Sequence, residues 1–79
     1  MAAPYNVKIA PEAIRKIRAL QSKNQQKMLL KLIEALGINP RPPGVKKIEG
    51  MTGLYSEDIN HLRLIYKVEE QEVLLLLIK

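Results

Sequence analysis

Seventy-nine residues with a mass of 9.0 kDa suffice for one domain with one small core, residues 1–79, and exclude a multidomain enzyme. The absence of cysteine excludes disulfides and thiolate metal centres, the single His61 leaves imidazole metal sites short of ligands, and 47% apolar with 27% charged residues excludes a disordered chain. The net charge of +5 is uneven: through Lys47 ten Lys or Arg face Glu12 and Glu34, about +8, whereas from Ile48 three bases face six acids, about −3. Residues 5–9 alternate, with Tyr5, Val7 and Ile9 on one side of a pleat, and predict a short half-buried strand. Pro11 suits the first turn of a helix, where its missing N–H costs nothing, and Glu12 places negative charge near that helix N-terminus. Ile14, Ile17 and Leu20 recur at helical spacing, so a first helix of about three turns is expected. Ser22 with Gln25 resembles a capping box, and Met28, Leu29, Leu32, Ile33 and Leu36 form the apolar face of a second helix. Lys23, Lys27 and Lys31 make a basic row on its other side, and Gly37 is the expected C-terminal cap.

Residues 39–44, with three prolines and Gly44, cannot continue a helix and predict a rigid connector. The period then changes from helical to alternating. A short segment at 45–48 precedes Gly50 and Gly53, and strands are expected at 54–59, 62–68 and 73–78, joined by turns at Asn60-His61 and 69–72. Residues 73–78 do not alternate, as expected of a strand covered on both faces or completing a partner's sheet. A terminal apolar strand at a sheet edge would invite pairing with another chain, a second copy included. The predicted fold class is α+β, with two N-terminal helices packed on one face of a twisted, mainly antiparallel four-stranded sheet in the order β-α-α-β-β-β. No apolar run approaches the roughly 18 residues of a membrane span and the N-terminus lacks the order of a signal peptide, so a cytoplasmic protein with no membrane partner is expected.

The order of Tyr5-x-Val-x-Ile9, Pro11-x-Ala13, Leu36-x-x-Asn39-Pro40, Lys46-Lys-Ile-x-Gly50, Leu54-Tyr55 and Arg63-Leu-Ile-Tyr66 resembles the RelE/ParE superfamily of bacterial type II toxins. The resemblance covers nearly the whole chain. It implies a toxin neutralised by a cognate antitoxin lying across its surface. RelE-like members cut mRNA on the ribosome, and ParE-like members inhibit DNA gyrase; a non-catalytic antitoxin-binding module is the third reading, and fold alone does not choose among them. RelE-type chemistry, attack of a ribose 2′-hydroxyl on the adjacent phosphate, asks for a proton acceptor, cations and a donor for the leaving oxygen, and for no metal or cofactor.

On that resemblance Arg63 matches the catalytic arginine, and Arg41, Lys46, Lys47 and Tyr55 are candidate RNA contacts. Ser56 and Asp58 stand where the family commonly has cations, and Asp58 would repel a phosphate. Family members usually run past the last strand into further catalytic groups, which the Ile78-Lys79 ending lacks, so weakened or lost cleavage is expected. Alternation puts Arg63 on the open sheet face with Ile65 and Lys67, where it either clamps phosphate or pairs with Glu57 or Asp58. Lys46 and Lys47 point to opposite sides of their strand. His61 in its turn has no evident partner, Tyr66 reads as a core residue, and Tyr55 reads equally as core or as a platform for a base.

Overall fold

The computed structural model describes residues 4–79. Its elements are β1 (Asn6–Ile9), α1 (Pro11–Ala19), α2 (Lys23–Ile38), β2 (Lys46–Lys47), β3 (Leu54–Ile59), β4 (Leu62–Glu69) and β5 (Glu72–Ile78). α1 starts on Pro11 after an extended Ala10, and its first turn carries Glu12. α2 starts at Ser22, whose Oγ accepts the Gln25 N–H at 3.2 Å. The second polar link comes from Gln26: its Nε2 donates to the carbonyls of Ile17 at 3.1 Å and Leu20 at 2.8 Å. The Ile17 carbonyl also accepts the Leu20 N–H at 3.2 Å, and the Leu20 carbonyl lies at the end of α1 where acceptors lack intrahelical partners. One side chain of α2 therefore closes the end of α1 and fixes the corner between the helices.

Gly37 does not cap α2. The helix runs through it to Ile38 and is capped at Asn39, whose N–H donates to the Ala35 carbonyl. Gly37 is buried, and its carbonyl accepts the Tyr5 N–H at 3.1 Å, so it fastens the chain entering β1 to the end of α2.

The sheet has five strands in the order β1-β5-β4-β3-β2, one more than the sequence predicts. The additional strand is Lys46–Lys47, which pairs antiparallel with Ser56 and Tyr55. A second correction concerns β5. It lies between β4 and β1, which it meets in parallel with Val7 opposite Val73 and Ile9 opposite Leu75, so the sheet edges are β1 and β2. Self-pairing through the terminal strand as an edge does not fit this topology.

The missing alternation in β5 has two causes. The strand is interior, and a bulge interrupts its pairing with β4: Tyr66 faces Leu75 and Ile65 faces Leu77, leaving Leu76 as an extra residue. The bulge resets the pleat, so Val73, Leu75 and Ile78 all turn into the core. There they meet Leu64, Tyr66 and Val68 of β4 and Ala13, Leu29, Ile33 and Leu36 of the helices. Each fully buried Leu or Val contributes about 1.5–3 kcal/mol relative to exposure. The helices pack chiefly on β1 and β5, so the helix-side surface of β3 is left to the proline connector. Asn60 takes a positive φ of 54° in the β3–β4 hairpin, a conformation that Asn tolerates well. Among the described residues no helix is long and apolar enough to cross a membrane.

Candidate functional site

Strand register sorts the candidate residues onto two sides of the sheet. Asp58 pairs with Arg63, Ser56 with Ile65 and Leu54 with Lys67, and all six belong to the face away from the core. Lys46 lies opposite Ser56 and joins them. Tyr55, Glu57 and Ile59 alternate onto the helix side, opposite Tyr66, Leu64 and Leu62, and Lys47 pairs with Tyr55 on that side.

On the open face Arg63 is already engaged. Its Nε donates to Asp58 Oδ1 at 2.9 Å, with both side chains exposed. The hydrogen bond, followed by the attraction of the two charges, holds the Asp58 carboxyl below its ordinary range and raises the guanidinium; Lys46 adds a smaller lowering at Asp58. The Arg63 and Lys79 backbones exchange two hydrogen bonds of 2.9 Å, which makes Lys79 a cross-strand neighbour of Arg63. Asp58, Arg63 and Lys79 line one shallow cleft with Asn60, His61 and Leu62. Lys79 and His61 were not among the predicted site residues. His61 is near because it stands in the hairpin turn two residues before Arg63, whereas Lys79 is brought there by the β4–β5 register, which nothing in the local sequence around Arg63 encodes.

Lys46, Arg63 and Lys79 against Asp58 give this face a surplus of positive charge that suits an anionic backbone. The same arrangement is a poor proton acceptor. Its one carboxylate is ionised and bound to a guanidinium, so its basicity is lower than that of a free Asp.

Arg41 and Tyr55 lie elsewhere. Arg41 Nε donates to the Tyr55 hydroxyl at 3.0 Å, and the guanidinium carbon stands 5.6 Å from that ring's centroid. Tyr55 stacks on Tyr66 with centroids 5.9 Å apart and planes at 24°. Tyr66 is fully buried, and its hydroxyl donates to the Pro40 carbonyl at 2.7 Å. Burial, with a smaller contribution from the Glu57 charge, pushes the Tyr66 phenol well above its usual range. These contacts pin the connector to the sheet. The Tyr55 face turned to Tyr66 is not open to a base, and the five candidates do not form one surface.

No family model and no curated protein sequence matches the chain. Solved structures do. A chain of the archaeal RelE–RelB complex from Pyrococcus horikoshii OT3 is 26% identical, with 96% of this chain and 93% of that chain covered at a TM-score of 0.85. The YoeB dimer from Staphylococcus aureus is also 26% identical, covering 98% and 97% at 0.76. The intact E. coli RelBE toxin–antitoxin complex gives 26% identity over 94% and 93% at 0.70. A likeness that runs along nearly the whole length of each partner, with β1 closing a five-stranded sheet beside β5, gives this chain the RelE-like toxin fold.

Proposed function

We propose that this chain is the toxin component of a type II toxin–antitoxin pair, that binding its antitoxin is its principal activity, and that its ribosome-dependent cleavage of mRNA is weak. The observation that supports the first part is the end-to-end match to a chain taken from a RelE–RelB complex. The Arg63–Asp58 ion pair supports the last part, because the guanidinium that would stabilise a crowded phosphorane is neutralised within the protein. In this reading Arg63, Lys46 and Lys79 hold RNA phosphates on the open face.

Co-expression with the protein encoded by the adjacent reading frame tests the pairing, and a stable one-to-one or higher-order complex is expected. A translation extract tests the chemistry: slow message cleavage is expected, abolished by Arg63→Ala. Failure to co-purify would reject the toxin assignment, and fast cleavage indifferent to Arg63 would reject the assigned site. DNA damage with intact message would move the chain to the gyrase-directed branch.

A further inference from the structure

Arg41 stands in the connector with its backbone fastened on both sides. The Pro40 carbonyl accepts the Tyr66 hydroxyl at 2.7 Å, the Arg41 N–H donates to Asn39 Oδ1 at 3.1 Å, and Pro42 and Pro43 restrict the chain that follows. The guanidinium is placed as well. Its Nε donates to the Tyr55 hydroxyl at 3.0 Å, and its carbon lies 5.6 Å from the centroid of that ring. The Tyr55 hydroxyl, and behind it that of Tyr5, favour the charged form. Among the described residues no carboxylate pairs with it, the ion pairs being Lys8–Glu72, Arg63–Asp58 and Lys67–Glu69. Lys47, the cross-strand neighbour of Tyr55, stands outside those pairs too. Arg41 is therefore the converse of Arg63, a guanidinium oriented by neutral groups with its charge uncancelled.

We infer that Arg41 and the Tyr55 hydroxyl form a phosphate-binding site on the side of the sheet opposite Arg63, flanked by Lys47, and that it takes a phosphodiester of an RNA backbone. With Nε spent on the phenol, the two Nη groups supply a fork for the non-bridging oxygens. The Tyr55 hydroxyl, which accepts from Nε, keeps its own O–H to donate. Fixing the guanidinium before the ligand arrives spares the ordering cost that a flexible surface arginine bears on binding. The surrounding charge suits a polyanion, since through Lys47 the chain carries ten bases and two acids. RNA as the source of the phosphate rests on the toxin reading above, whereas the site itself rests on these contacts. With the open face it gives the chain two phosphate-holding surfaces back to back, and a second RNA segment is held opposite the first.

Fluorescence anisotropy of a labelled RNA stem-loop across a KCl series tests this with the wild-type chain, Arg41→Gln, Arg41→Lys and Arg63→Ala. Arg41→Gln keeps a donor for the Tyr55 hydroxyl and loses the charge. It is expected to bind about three- to tenfold more weakly at low salt, with the slope of log affinity against log salt reduced by about one. Arg41→Lys keeps the charge and loses the fork, so weaker binding with an unchanged slope is expected. Combining Arg41→Gln with Arg63→Ala is expected to multiply the two losses, because the residues lie on separate surfaces. A thermal melt verifies that each variant is folded. A wild-type slope in folded Arg41→Gln, or wild-type affinity in Arg41→Lys, would reduce Arg41 to a structural pin and overturn the site while leaving the open face intact. No RNA binding by the wild-type chain would overturn both. Unchanged RNA binding by Arg41→Gln with weakened binding of the adjacent reading frame's product would assign the guanidinium to a protein carboxylate and overturn RNA as its ligand.

Discussion

Asp58 and Glu57 are adjacent carboxylates on opposite sides of one strand, and each restrains a different property of the chain. Asp58 occupies Arg63, so Asp58→Asn is expected to free the guanidinium and tighten binding of a single-stranded RNA about two- to tenfold at low salt, with the gain shrinking as salt rises. Fluorescence anisotropy across a KCl series measures it, and an unchanged affinity would remove Arg63 from the RNA surface. Glu57 acts on stability. Desolvation raises its carboxyl above the ordinary 4.5, so between 4.5 and that raised value the folded form holds a proton that the unfolded form has released. Its contribution is therefore most favourable below 4.5 and declines as pH rises through the elevated value. Glu57→Gln is expected to be about 1 kcal/mol more stable than wild type at neutral pH and no different at pH about 4, as read by urea melts. At this scale alternation puts Arg63 on the open face and sets Lys46 and Lys47 on opposite sides of their strand, while which side each lysine takes comes from their pairing with Ser56 and Tyr55. The sequence does not tell that Arg63 prefers Asp58 to Glu57, which depends on cross-strand register, nor that Arg41 reaches across fourteen positions to Tyr55.

Periodicity and punctuation locate most elements, because an amphipathic stripe and a proline at the first helical position act within a few residues. α1, α2 and the β3–β4 hairpin follow the predicted bounds closely for that reason. The departures are all set by contacts distant in the chain. Gly37 lies inside α2 because its carbonyl is claimed by Tyr5, and Lys46–Lys47 becomes a strand because β3 lies beside it. The corner between the helices has the same character, since the residue that closes α1 belongs to α2. Gln26→Ala is expected to cost about 1–2 kcal/mol by removing two hydrogen bonds and leaving the Leu20 carbonyl without its side-chain donor. Ser22→Ala, which removes the α2 cap, is expected to cost about 1 kcal/mol. Thermal or chemical denaturation of each variant checks both values, and their closeness makes the double variant non-additive.

Across the whole molecule, β1 shields a strand that would otherwise be exposed along half its length. β1 covers β5 from Glu72 to Leu75, which includes the buried Val73 and Leu75. A variant beginning at Ala10 is expected to leave that edge open and to self-associate, which light scattering after size exclusion detects. A strictly monomeric variant would mean that α1, which packs against β5, suffices to guard it. The same pairing governs how the chain assembles during synthesis. Val7 leaves the ribosome early and its partner Val73 comes very late, so the first strand waits through the production of both helices and the β3–β4 hairpin before it can dock. Joining such distant segments is slow compared with forming a helix or hairpin. A polypeptide of this design stays incomplete, with the strand that joins β1 to the rest of the sheet unmade, while it is still being translated; a binding protein made alongside it would have that interval in which to arrive.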